Sequence, residues 1–201
     1  MLKRLFDLAV ASVALLLLAP LLLLLAMWIK LDSPGPALFR QERVGRGGRL
    51  FRIRKLRTMT HDPSHEGPGI TVGKDERITR AGQFLRRSKL DELPQLLDVL
   101  QGHMSLVGPR PELPQYVALY PADLRDKILS VRPGITDLAS IEYRNEGELL
   151  AEAADPERQY REVVLPAKLK LAEAYVDQAS LTFDMRLIWR TVKTVWVTSL
   201  D

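Results

Sequence analysis

The sequence predicts a mostly helical membrane protein of the α/β (α+β) class: one apolar N-terminal segment, then a small domain with a short β-hairpin and amphipathic helices. Three features lead there. Residues 8–29 carry no charge and are mostly Leu, Ala and Val, and they outrun the roughly 20 residues a helix needs to cross hydrocarbon. Two β-like runs at 37–44 and 49–56 flank the turn Gly45-Arg46-Gly47-Gly48, a hairpin signature. Near the C-terminus, runs at 163–179 and 183–197 repeat their apolar residues at helical spacing. The 201 residues divide into one membrane element, 1–32, and one modest domain, 33–201.

In the apolar segment, Pro20 deletes a backbone hydrogen bond near the middle of the run. Lys3 and Arg4 precede it, and Lys30, Arg40, Arg43 and Arg46 follow it, so the positive-inside rule draws both ends toward the cytoplasm. A bent helix that enters and leaves by one face satisfies this pattern, and so does a kinked span. A cleaved signal peptide fits less well, because its apolar region is shorter and Trp28-Ile29-Lys30 lacks small residues. The absence of cysteine excludes disulfides, thiolate nucleophiles and cysteine metal sites. The net charge of +4 suits anionic lipid, phosphate or nucleic acid alike.

In the hairpin, Phe51 and Ile53 point one way and Arg52 and Arg54 the other. Basic residues crowd 40–57, and each is worth about 1 kcal/mol beside an anionic leaflet. Most are expected to form a solvated basic face, with Lys55 and Arg57 as exceptions. Residues 61–74 read as a loop able to act as a lid. Its Gly67 to Lys74 stretch imitates a phosphate-binding loop, but the glycine spacing is wrong and Asp75 stands where a hydroxyl is needed. His61 and His65 have metal-ligand spacing, yet Pro63 lies between them and no third ligand is near.

A short amphipathic helix is expected at 78–87, followed by a second from about Asp91 to Gly102, with Pro94 in its first turn and Ser88 as a cap. Adjacent Asp91 and Glu92 then stand at a helix N-terminus, where carboxylates complement the dipole and can hold a divalent cation. In Gly108-Pro109-Arg110-Pro111, two prolines fix the backbone around one guanidinium suited to phosphate, and Val131-Arg132-Pro133-Gly134 repeats the device. With no Gly-x-Ser-x-Gly elbow and no cysteine, these elements favour phosphoryl over acyl chemistry. In the last run Leu187, Ile188, Val192, Val195 and Trp196 can share a face, rimmed by Arg186, Arg190 and Lys193, which describes either an interfacial helix or one packed on the core. A basic module that binds nucleic acid would lack stacking aromatics and leave Asp91, Glu92 and Arg110 without a purpose.

Taken in order, Lys3-Arg4-Leu5-Phe6-Asp7, Gln41-Glu42-Arg43-Val44-Gly45, Lys55-Leu56-Arg57-Thr58-Met59, Leu90-Asp91-Glu92-Leu93-Pro94-Gln95, Ser105 to Pro111, Arg132-Pro133-Gly134-Ile135-Thr136 and Arg144-Asn145 resemble the small monotopic phosphoglycosyl transferases, the bacterial sugar transferase family that includes PglC-type enzymes. The resemblance runs nearly end to end, and its specificity lies in the ordered set. It implies a reentrant N-terminal helix broken at proline, a cytosolic domain with interfacial helices, and residence at the cytoplasmic face of the bacterial inner membrane. It implies a magnesium-dependent transfer of sugar phosphate from a UDP-sugar to a polyprenol phosphate, feeding downstream glycosyl transferases, with no nucleic acid involved and a weak homodimer or a monomer. Carried over by position, Asp91 is nucleophile and magnesium ligand, and Glu92 its partner in positioning or proton transfer. Lys55, Arg86, Arg110 and Arg144 match basic substrate-binding positions. Arg132 is grouped with them, and Asp184 matches a late acidic position. Three departures stand out: Ala19 before the proline, Asp137-Leu138-Ala139-Ser140 after Thr136, and an acidic stretch at 146–161 that reads as a substrate-side or surface insertion.

Overall fold

The computed structural model describes residues 1–60, 70, 72, 73 and 75–198, without the side chains of 195–198. Its elements in order are α1 (Leu2–Asp32), β1 (Leu38–Val44), β2 (Leu50–Leu56), α2 (Arg80–Ser88), α3 (Gln95–Leu100), β3 (Ser105–Val107), α4 (Pro114–Val117), α5 (Ala122–Leu129), β4 (Gly134–Thr136), α6 (Leu138–Glu142), α7 (Glu146–Ala151), α8 (Pro156–Gln159), α9 (Leu165–Gln178) and α10 (Leu181–Thr198). β1 and β2 form the expected antiparallel hairpin, in register from Leu38 opposite Leu56 to Val44 opposite Leu50. Phe51 and Ile53 point inward, as their alternation requires. β3 and β4 form a parallel pair that local periodicity does not announce.

α1 runs through Pro20 as one continuous element, so the proline removes a hydrogen bond without breaking the helix. One stripe of it faces the domain along nearly its whole length: Asp7, Ala11, Leu25 and Ile29 are buried, and Leu15, Leu18, Leu21 and Leu22 pack between them. The opposite stripe, with Leu16, Leu17, Leu23, Leu24 and Met27, is exposed and far too apolar for water.

Both ends of α1 are bonded to the same domain. At the N-terminal end, Asp7 accepts from Ser105 Oγ at 2.8 Å, and Lys3 donates to Asp184 at 2.5 Å and to the Val107 carbonyl at 3.1 Å. Arg4 donates to the carbonyls of Val99 and Leu100 at the end of α3. At the other end, Arg57 donates to the carbonyls of Ile29, Ser33 and Pro34 and to Ser33 Oγ at 2.6–3.3 Å. Arg57 is thus an exception to the basic surface face, but as a buried cap on the terminal carbonyls of α1. Arg57→Leu would strand those acceptors, and we expect a loss of about 2–3 kcal/mol, seen as a fall of roughly 4–12 °C in the thermal midpoint of detergent-held protein.

Several local expectations shift. Thr79, whose Oγ1 accepts from the Gly82 N–H at 3.0 Å, caps α2. Ser88 closes that helix by donating to the Phe84 carbonyl rather than capping the next. The stretch 146–161 is anchored in the core through Leu150 and Tyr160, which are fully buried with Tyr116, Val164 and Leu169. Arg54 is drawn out of the basic face by buried Asp98, which pairs with its guanidinium and accepts its N–H at 3.0 Å. In α10, Leu187 and Ile188 pack on the core, while Val192 is exposed with Met185 and Trp189, so the expected apolar face is divided between core and surface. Val195 and Trp196 lie outside the described side chains. The loop at 61–74, with its phosphate-loop imitation and its histidine pair, lies outside the described residues apart from Ile70, Val72 and Gly73.

Candidate active site

The site is built where α2 hands over to α3. α2 ends at Lys89, whose backbone is left-handed at φ 57°, the single positive φ outside glycine among the described residues. That reversal starts a tight turn, Leu90–Glu92, in which the Glu92 N–H donates to the Lys89 carbonyl. Leu93 and Pro94 keep right-handed backbone and lead directly into α3. The Asp91 and Glu92 carboxylates therefore project from a short, rigid bend rather than from the first turn of a long helix.

Their environments differ. Glu92 accepts from Lys55 Nζ at 2.9 Å and is clasped by the Arg110 guanidinium through both oxygens, one contact at 3.2 Å. Burial works against its ionised form, but Arg110 and Lys55 outweigh that and hold Glu92 well below the usual carboxylate range. Glu92 in turn raises Arg110 still further above its ordinary value. Asp91 is 8% exposed, and its Oδ1 has no hydrogen-bond partner. Burial pushes its pKa up, with Lys55 opposing. The pair is thus one locked, ionised carboxylate beside one buried carboxylate with an oxygen to spare.

The surroundings are cationic. Arg86, near the end of α2, donates from Nε to Thr58 Oγ1 at 2.9 Å. Burial lowers its pKa, and Asp91 is the leading charge that opposes this. Lys89 is exposed, with Glu92, Arg110, Asp91 and Lys55 as the charges acting on it. Gln95 lies four residues beyond Asp91, at the start of α3. It is fully buried, and both atoms of its amide lack partners. Sequence reasoning passed over Lys89 and Gln95. The first is marked only by its backbone, the second only by its burial.

Of the expected site residues, the structure gathers Asp91, Glu92, Lys55, Arg86 and Arg110. Three others are engaged with other partners. Arg132 donates to the Gly102 carbonyl at 3.0 Å, beyond the far end of α3, with Arg4, Arg46 and Asp7 as its charged neighbours. Arg144 donates to the Thr194 carbonyl on α10 at 2.5 Å. Asp184 is buried, bonded to Lys3 at 2.5 Å and to the Tyr175 hydroxyl at 2.8 Å, tying α10 to the start of α1.

Residues 1–198 match the family model described as bacterial sugar transferase. A UDP-glucose:undecaprenyl-phosphate glucose-1-phosphate transferase of Caulobacter vibrioides is 41% identical over 98% of this chain and 70% of its own length. An Aeromonas hydrophila protein, a UDP-N-acetylgalactosamine-undecaprenyl-phosphate N-acetylgalactosaminephosphotransferase, is 36% identical over 96% of this chain, which spans only 43% of that relative. The exopolysaccharide production protein PSS of Rhizobium leguminosarum is 41% identical over 95% of this chain and 93% of its own length. With a match that covers the apolar N-terminal helix, the hairpin and the whole Asp91 to Arg110 region, the chain belongs to the bacterial sugar transferase family.

Proposed function

We propose that this chain moves a sugar 1-phosphate from a UDP-sugar onto a polyprenol phosphate, through a phosphosugar intermediate on Asp91, at the cytoplasmic face of the bacterial inner membrane. The observation that carries the reading is the division of labour in the carboxylate pair: Glu92 is tied by Lys55 and Arg110, while Asp91 Oδ1 is unpartnered. Around them stand the cations Lys55, Arg86, Lys89 and Arg110, groups suited to the charge of a diphosphate diester. The relatives named as undecaprenyl-phosphate sugar phosphotransferases support the same substrate classes.

In the first step an Asp91 carboxylate oxygen attacks the β-phosphorus. The bond from that phosphorus to the bridging oxygen breaks, and UMP leaves with that oxygen. In the second, an oxygen of the polyprenol phosphate attacks the same phosphorus, and the bond to Asp91 breaks, which restores the carboxylate. Charge balances in both steps without a proton. Glu92 accordingly serves as a fixed anion that positions Lys55 and Arg110, and needs no acid–base role. The product is the lipid-linked sugar that later glycosyl transferases would extend.

The residues present suit a magnesium ion. Asp91 Oδ1 and Gln95 Oε1 are buried oxygens without partners. No cluster of three His, Cys, Asp or Glu occurs among the described residues, which suits an ion that completes its shell with substrate phosphates and water. When bound, magnesium would offset the repulsion between a carboxylate and a diphosphate. For α1, a reentrant placement is supported by its attachment to one domain at both ends and by its exposed apolar stripe. The stripe on α10 would lie in the same interface.

The test is UMP release from a panel of UDP-sugars by protein in nanodiscs with undecaprenyl phosphate. One sugar should release UMP and yield the lipid diphosphate sugar. Chelation should lower the rate by at least about 100-fold and added magnesium should restore it. Release of UDP instead of UMP would mean transfer of sugar without phosphate, and no release from any sugar would favour a membrane-tethered binding module.

A further inference from the structure

Lys89 combines two properties that rarely coincide. Its backbone lies at φ 57°, ψ 16°, the left-handed conformation in which helices commonly end on glycine, and in which an L side chain costs free energy. Strain of this kind concentrates at functional sites. Its ammonium, meanwhile, makes no hydrogen bond or ion pair among the described residues. The other cations of the cluster are engaged, Lys55 and Arg110 with Glu92 and Arg86 with Thr58.

The left-handed turn is what places Lys89 two residues before Asp91 while its carbonyl receives the Glu92 N–H. Glycine would close α2 and start the Leu90–Glu92 turn equally well, without the conformational penalty. The backbone geometry therefore gives no reason for a lysine at this position, and the side chain must supply one. We propose that Lys89 binds the diphosphate of the nucleotide sugar, its ammonium pairing with phosphoryl oxygens beside the Glu92-bound Lys55 and Arg110. This rests on the diphosphate reading of the site and adds a residue to it.

The test is Lys89→Gly beside Lys89→Arg, with two readouts in full-length nanodisc protein. For the first, we expect Lys89→Gly to raise the thermal midpoint by about 1–4 °C through relief of the left-handed strain. For the second, the dissociation constant for UDP should weaken about 10- to 100-fold, the span of a charge-assisted hydrogen bond. UMP release should fall with it. Lys89→Arg, which keeps the cation, should stay within about fivefold of wild type in both. A purely structural residue cannot yield a variant that is more stable and binds less. Unchanged UDP affinity in Lys89→Gly would overturn the proposal even if wild type releases UMP. Wild type that binds no UDP would overturn the diphosphate reading with it. Wild type that binds UDP through Lys89 but releases no UMP would retain the binding role and remove only the chemistry.

Discussion

Asp91→Asn is expected to lower UMP release by at least about 1,000-fold while leaving the fold intact. An amide fills the same volume but offers no anionic oxygen to attack phosphorus, and Asp91 Oδ1 has no protein partner whose loss would disturb the packing. The decisive measurement is intact-mass analysis after mixing protein with the active UDP-sugar in the absence of polyprenol phosphate. Wild type should gain the mass of one sugar phosphate and lose it again when the acceptor is added. Asp91→Asn should gain nothing. Glu92→Gln should still gain the adduct, more slowly, because it loosens Lys55 and Arg110 without removing the nucleophile. An adduct on Asp91→Asn, or one that depends on Glu92 instead, would reverse the roles assigned to the pair.

The parts of this site that could be read in the sequence are those written locally. The hairpin follows from alternation and a Gly-rich turn, and Asp91-Glu92 and Pro-flanked Arg110 stand out as short motifs. What escaped depends on where side chains go after the chain has folded. Arg110 and Arg132 share the same x-Arg-Pro device, yet one reaches Glu92 and the other the Gly102 carbonyl. The reason is that they follow different ends of the β3–β4 pair, Arg110 coming after β3 and Arg132 before β4. That pairing joins Ser105 to Gly134 and Val107 to Thr136, strands too short to show a period. Lys3 and Arg4 look like a basic membrane flank in sequence, but they clamp buried carbonyls and the Asp184 carboxylate. Gln95 closes the Leu90 to Gln95 motif but gains a role only after folding, since an amide reads as surface until its burial is known.

The fold also positions the site through one close backbone approach, and this yields the second large effect. A Cβ on Gly82 would lie 1.9 Å from the Thr58 carbonyl oxygen and 2.7 Å from its carbon. In that region Thr58 O accepts the Thr79 N–H and Thr58 Oγ1 accepts from Arg86. α2 can therefore rest on the end of β2 only because position 82 has no side chain. Gly82→Ala gains about 1 kcal/mol of helix propensity, but the overlap is with backbone on both sides and no rotamer can relieve it. We expect a net loss of at least about 4 kcal/mol, a fall of roughly 8–16 °C in the thermal midpoint. UMP release should drop at temperatures where the variant remains folded, because α2 carries Arg86 and is capped by Lys89. Gly47→Ala is the control: φ is +65° there and nothing lies within 4 Å, so it bears only the left-handed penalty of about 1 kcal/mol. Equal midpoints for the two variants would mean that α2 does not sit on Thr58, and the placement of Arg86 beside Asp91 would fall with it.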